Sequence, residues 1–138
     1  MSINSRNKGK AGELEVRDLF RAALAGRMPD VTVIRRNHQQ AEIGGADLVG
    51  VPVFSVEVKR VRKVEWGAVC KWWEQCFEQA YKEDKLPCLV FRQDFGKWQV
   101  MVEARPTAFS EHPAAPMIMT WDNFKWYLQL TKVYYTDL

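Results

Sequence analysis

The chain has 138 residues, enough for one domain with a real core and without room for a second. Hydrophobic residues make up 47% and charged residues 27%, the balance of an ordinary soluble globular protein, and no apolar run approaches the ~18 residues needed to cross a bilayer. The net charge of +3 is unevenly spread: residues 1–63 carry 12 Lys and Arg against 7 Asp and Glu, whereas residues 64–138 carry 8 against 10.

That bias suits a polyanionic partner, because neutralised phosphates release counterions. Cys70, Cys76 and Cys88 are odd in number and lack CxxC spacing, which reads as reduced thiols and neither a disulfide frame nor a zinc site. The polar, basic start has no hydrophobic stretch behind it, so no secretory signal is visible and a cytoplasmic setting is expected.

Residues 1–8 are small and polar without periodicity, and read as flexible. From Gly9 to Ala25 the pattern is helical, with Val16, Leu19, Phe20, Ala23 and Leu24 on one apolar face, Glu13 at its edge and Gly26 as the stop. Val31 to Ile34 is β-branched throughout and reads as a first strand. A polar segment from Arg35 to Gln40 follows. Ala46 to Gly50 reads as a second strand and Val53 to Val61 as a third, joined by Gly50-Val51-Pro52 into an antiparallel hairpin.

Glu65 to Lys85 is expected to form the second long helix, with Trp66, Val69, Trp73, Cys76, Phe77 and Ala80 apolar and Trp72 widening the face. Lys71, Gln75 and Gln79 make a polar stripe. Pro87 ends the segment, and Cys88 to Phe91 and Trp98 to Glu103 read as strands about an Asp94–Lys97 turn. Residues 104–116 hold three prolines and read as a loop; Met117 to Thr120 reads as a short strand, with Thr120 capping a helix from Trp121 to Leu130. The expected fold is a single α/β (α+β) domain, a mixed sheet flanked by helices.

Within the third strand Glu57 and Lys59 are two apart and share a face, together with Val53 and Ser55, while Phe54, Val56 and Val58 point the other way. Asp47, across the turn, comes near enough to share a cation with Glu57. Hydrolysis of a phosphodiester needs an activated water and an electrophile, which Mg²⁺ or Mn²⁺ supplies from hard oxygen ligands. Asp47, Glu57, the backbone carbonyl of Val58 and, from the first helix, Glu13 are the candidate ligands, and Lys59 is placed to orient water or meet developing negative charge.

The order Asp47, turn, Glu57-Val58-Lys59 resembles the PD-(D/E)xK nuclease signature. With Lys8-Gly-Lys-Ala-Gly-Glu13 and Arg35-Arg36 upstream, it is most similar to archaeal-type Holliday junction resolvases and their phage-encoded relatives. The resemblance implies catalytic roles for Glu13, Asp47, Glu57 and Lys59, a restriction-endonuclease-like core in the order α-β-β-β-α-β, Mg²⁺ as cofactor, DNA with four-way junctions as substrate, and a homodimer. Lys8, Lys10, Arg35, Arg36, Arg60, Arg62 and Lys63 are candidate phosphate contacts.

Blander readings stand beside these. Glu57 and Lys59 can form an ordinary same-face ion pair, and Glu13 a solvated helix-edge acid. His38 reads as a loop histidine with catalysis as the alternative, and Gln75 and Gln79 as a polar helix side with the site or DNA as the alternative. A restriction-type or general structure-specific nuclease is the near alternative to a resolvase. A non-catalytic DNA-binding module is the distant one, opposed by the carboxylates, which repel phosphate unless a cation intervenes.

Overall fold

The computed structural model describes residues 3–40, 44–104 and 115–130. Helix α1 spans Ile3–Leu24, so it begins well before Gly9 and takes in residues 3–8, expected to be flexible. Lys8 explains part of the difference: its Nζ lies 2.6 Å from Asp94 Oδ2 and anchors the first turns to the far end of the sheet. The expected apolar face holds, with Val16, Phe20, Ala23 and Leu24 buried.

Val31–Val33 is a 3₁₀ turn and not a strand. The Asp30 carboxylate accepts from both Thr32 N and Thr32 Oγ1, a local hydrogen-bonded turn that overrides the β preference of the branched side chains. The first strand, β1, is Arg35–Arg36. Strand β2 is Leu48–Val49 and β3 is Phe54–Val61, and they pair antiparallel as expected, Leu48 opposite Val56. Gly50 in their connection has φ +83°, and a Cβ there would run into the Val33 carbonyl, so the turn requires glycine. Val53 is not on the Glu57 face: with φ 71° it leaves the strand alternation and packs against the core on the other side.

Helix α2 is Trp66–Glu83, followed by β4 at Leu86–Gln93 and β5 at Gln99–Ala104. Pro87 does not stop the chain before β4. It is the second residue of the strand, buried, beside Ser55 in a parallel pairing. Strand β6, Ala115–Thr120, takes in residues expected to be loop, as Ala104 does at the end of β5; residues 105–114 of that loop lie outside the described residues. Helix α3 is Trp121–Leu130, and Thr120 Oγ1 accepts from Asn123 N at 3.2 Å, the expected cap.

The six strands lie in the order β1-β2-β3-β4-β5-β6, antiparallel except for the β3–β4 pair. This is the α+β, mixed-sheet, restriction-endonuclease-like architecture expected from the sequence. Helices α1 and α3 cover one face, where Phe20, Phe54, Trp121 and Phe124 interlock edge to face, Phe20 and Trp121 at 5.0 Å between centroids. Helix α2 covers the other through Val69, Cys76, Leu89, Phe91 and Met101, with Trp72 and Trp73 half-buried at its edge. Trp66 and Phe77, expected on the buried face of α2, are 61% and 43% exposed. The helix needs only its Val69–Cys76–Ala80 line to seat on the strands.

Candidate metal and phosphodiester site

The site forms where the sheet forks. Strand β2 pairs with β3 at Leu48 and Val56 and then diverges, leaving the edge of β3 open at Val58. A bare buried N–H there would cost free energy comparable to a lost hydrogen bond. Asp47 fills the gap: its Oδ2 accepts from Val58 N at 2.8 Å, while its own N–H donates to Val56 O and its carbonyl accepts from Asn37 N. Asp47 is thereby 8% exposed and fixed between β3 and the segment that follows β1. The N–H and C=O of one strand residue share an edge, so the Val58 carbonyl also faces the fork.

Glu57 is half-buried on the α2 side of β3, next to Asp47. Burial is the largest cause pushing its carboxyl up, to about 9; the charge of Asp47 and a hydrogen bond between the two carboxyls add to it, Lys59 opposes it, and Glu83 adds more negative potential. Lys59 makes no hydrogen bond or ion pair among the described residues, so its ammonium is available beside Glu57. Glu13 reaches the neighbourhood from α1, where burial, followed by the Asp47 charge, raises its pKa against the pull of Arg36 and Lys59. It is held by Arg36, whose Nε lies 2.9 Å from Glu13 Oε1.

The structure therefore brings Asp47, Glu57 and Lys59 together and sets Glu13 in their electrostatic range. Among the described residues no three His, Cys, Asp or Glu side chains are gathered tightly enough to cage an ion. Two carboxyls pressed together, with burial and the Asp47 charge pushing Glu57 up, nonetheless form a site short of positive charge. Asp47, Glu57 and the Val58 carbonyl could supply hard oxygens on one side of a cation with room for water on the other. That donor set fits a divalent ion of the Mg²⁺ kind, which keeps several waters and needs few protein ligands.

Three supporting residues were not assigned from the sequence. Gln40 Nε2 donates to Asp47 Oδ1 at 2.7 Å, fixing the second carboxylate oxygen. Glu83, at the end of α2, accepts from Ala46 N at 3.2 Å and from Gln79 Nε2 at 2.9 Å, so it grips the segment leading into Asp47. Asn37 donates to the carbonyls of Gly44 and Ala46. Glu83 joins segments distant in sequence, whereas Asn37 and Gln40 close the loop that leads into Asp47; the polar run at Asn37–Gln40 and the i, i+4 spacing of Gln79 and Glu83 were the available signals.

The remaining candidates divide by environment. Lys10, Arg35, His38, Arg62, Lys63 and Gln75 are exposed. Gln79 is half-buried and serves Glu83. Lys8 is paired with Asp94, and Arg60 lies on the opposite face of β3 from Lys59, bonded to Glu15 at 2.8 Å.

Residues 4–137 match the model of the family described as "Phage putative PDDEXK endonuclease". A similar relative is Protein D14 of Escherichia phage T5, 25% identical over 122 residues that cover 75% of this chain and 74% of the relative. No solved structure matches the chain. No helix among the described residues is long and apolar enough to cross a membrane. The family match runs across the whole described fold, including the fork and its carboxylates: the chain belongs to the phage PDDEXK endonuclease family.

Proposed function

We propose that this protein is a divalent-metal-dependent endonuclease that hydrolyses DNA, with Asp47, Glu57 and the Val58 carbonyl as metal ligands and Lys59 as the catalytic cation. The observation that carries this reading is the packing of Glu57 beside Asp47, itself fixed on the Val58 N–H, next to a Lys59 with no ion pair among the described residues; the crowding pushes the Glu57 carboxyl up. A bound Mg²⁺ or Mn²⁺ would supply the charge the pair lacks and ease ionisation of an attacking water. Asp47, held by Val58 N–H and Gln40, keeps one geometry through the reaction. Lys59 orients the water and offers positive charge to the phosphate oxygens as the bond to the leaving sugar oxygen breaks. Glu13 joins the acidic group from α1 once Arg36 turns to a phosphate.

The preferred substrate in this reading is branched DNA, four-way junctions foremost, by the likeness of Lys8–Glu13, Asp47 and Glu57-Val58-Lys59 to junction resolvases. Two matched cuts call for a two-fold dimer, for which the exposed Trp66, Phe77 and Tyr81 of α2 offer apolar surface. The setting is phage DNA recombination and repair inside the infected cell.

The test is cleavage of a labelled four-way junction beside linear duplex, single strand and flap, with and without Mg²⁺. Wild type cuts only with the metal and cuts the junction fastest; Asp47→Asn and Glu57→Gln abolish cutting while binding persists. Cleavage by either variant at the wild-type rate overturns the site. A linear duplex cut as fast as the junction overturns the resolvase reading alone, and a solution mass showing only monomer overturns the dimer.

A further inference from the structure

Phe95 sits at the tip of the β4–β5 turn and is completely exposed, at 107% of its reference area. It also has φ 64°, the left-handed region, at the third position of the turn closed by Gly96 N to Gln93 O at 2.9 Å. Glycine or asparagine usually takes that position. The turn's glycine stands one residue later, where a Cβ would press on Gln93 O at 3.2 Å. A bulky ring thus occupies a strained backbone position and buries nothing in return. Two local costs at one residue, neither offset by packing, mark a feature kept for something outside the fold.

The surroundings say what that something is. Asp94, beside Phe95, is tied to Lys8 of α1 at 2.6 Å, and its N–H donates to Val61 O at the end of β3. The tip is therefore fastened between the two segments that carry exposed Arg6 and Lys10 on one side and, on the other, exposed Arg62 and Lys63, the last in a loose 3.8 Å contact with exposed Glu65. Lys8 holds the Asp94 carboxyl below its usual range, so the turn's one acid is already paired. Because β3 and β4 run parallel with Lys59 opposite Phe91, their shared direction leads from Lys59 to the tip. At about 3.3 Å per residue the end of β3 is roughly 7 Å beyond Lys59. A fixed, exposed aromatic ring on a turn fastened between two basic segments, at the end of the strands that lead away from Lys59, is chemistry that meets an unstacked base.

We propose that Phe95 is a base-stacking residue, which seats on an open base face or wedges into an open step of DNA while Arg6, Lys10, Arg62 and Lys63 hold the flanking phosphates. The proposal rests on the nuclease reading and narrows its substrate class. An intact duplex presents no free base face, so Phe95 favours branched or gapped DNA over uniform duplex.

The test measures binding by the full chain in EDTA, where nothing is cut, to a labelled four-way junction and to a linear duplex of the same composition. Phe95→Ala should weaken junction binding roughly tenfold and change duplex binding by less than about twofold. Phe95→Tyr should restore the junction preference. Phe95→Gly should bind like the alanine variant while melting at the wild-type temperature or above, because glycine accepts the positive φ. Wild-type junction affinity in Phe95→Ala overturns the proposal and leaves the nuclease reading intact, and so does an equal loss on both DNAs. A wild type that binds neither DNA overturns both.

Discussion

Replacing Asp47 by Asn or by Ala removes the same charge but not the same hydrogen bond, because the Val58 N–H needs an acceptor at the position of Oδ2. Asp47→Asn keeps a carbonyl oxygen there, gives up the part-buried Gln40 contact on its other side, and is expected to stay closer to wild type in stability than Asp47→Ala while losing cleavage. Asp47→Ala leaves the buried N–H bare and should lower stability by about 1–3 kcal/mol, read as a fall in the urea midpoint. Equal midpoints for the two variants would mean the fork is not held by this bond. Glu57 makes the complementary case. The fold lifts its pKa from 4.5 to about 9, so between those values the native state keeps a proton that the unfolded chain has released. Stability is then greatest below the lower value and falls as pH rises through the window. In EDTA, Glu57→Gln should remove much of that fall and melt several degrees above wild type at pH 8, at roughly 3–5 °C per kcal/mol for a chain of this size. A divalent cation should raise the melting temperature of wild type and not of the variant. Parallel melting-versus-pH curves for the two proteins would contradict the buried carboxyl pair.

At the scale of elements the same fork depends on a connection with no tolerance for a side chain. Gly50 takes φ +83° against the Val33 carbonyl. Gly50→Ala is therefore expected to cost about 2 kcal/mol or more, with an unchanged denaturant slope, and to reduce cleavage because β2 carries the segment that ends in Asp47. A neutral substitution would show the turn able to shift without disturbing β2. What the sequence disclosed about these elements follows from the range of the forces involved. The period-two pattern of β3 fixed Glu57 and Lys59 on one face, and by the same rule Arg60 on the other, where Glu15 now holds it. The i, i+3, i+4 pattern of Val16, Phe20, Ala23 and Leu24 found the buried side of α1. Val31–Val33 misled because branched residues express a preference that one Asp30 side chain outweighs locally. Glu83 and Gln40 left only faint signals for another reason: the partner of Glu83, Ala46, lies 37 residues away and is met only by tertiary packing, and the path of the loop that returns Gln40 to Asp47, 7 residues on, is set by where β1 and β2 pair.

Over the whole molecule the cations sort into those already paired within the fold and those facing water, and this division predicts how DNA binding responds to salt. Lys10, Arg35, Arg62 and Lys63 are exposed, Lys63 with only a loose 3.8 Å contact to a likewise exposed Glu65, whereas Arg60 is bonded to Glu15 and lies 3.7 Å from Asp94. A cation that neutralises one phosphate contributes about 0.9 to the slope of log K against log salt on duplex DNA, through the counterion it displaces. Neutralising Lys10, Arg35, Arg62 or Lys63 singly should weaken binding at low salt and flatten the slope by about that amount for each residue in contact. Arg60→Met should leave the slope unchanged and lower stability, because its partners are acids of the fold and not phosphates. The measurement is binding to one duplex across a salt series, in EDTA, paired with thermal melting. A flattened slope in Arg60→Met would show that the Glu15 pairing breaks on DNA binding and that the opposite face of β3 also meets the backbone. Unchanged slopes in all four exposed variants would place the DNA away from α1 and the end of β3, and would count equally against the cationic setting of Phe95.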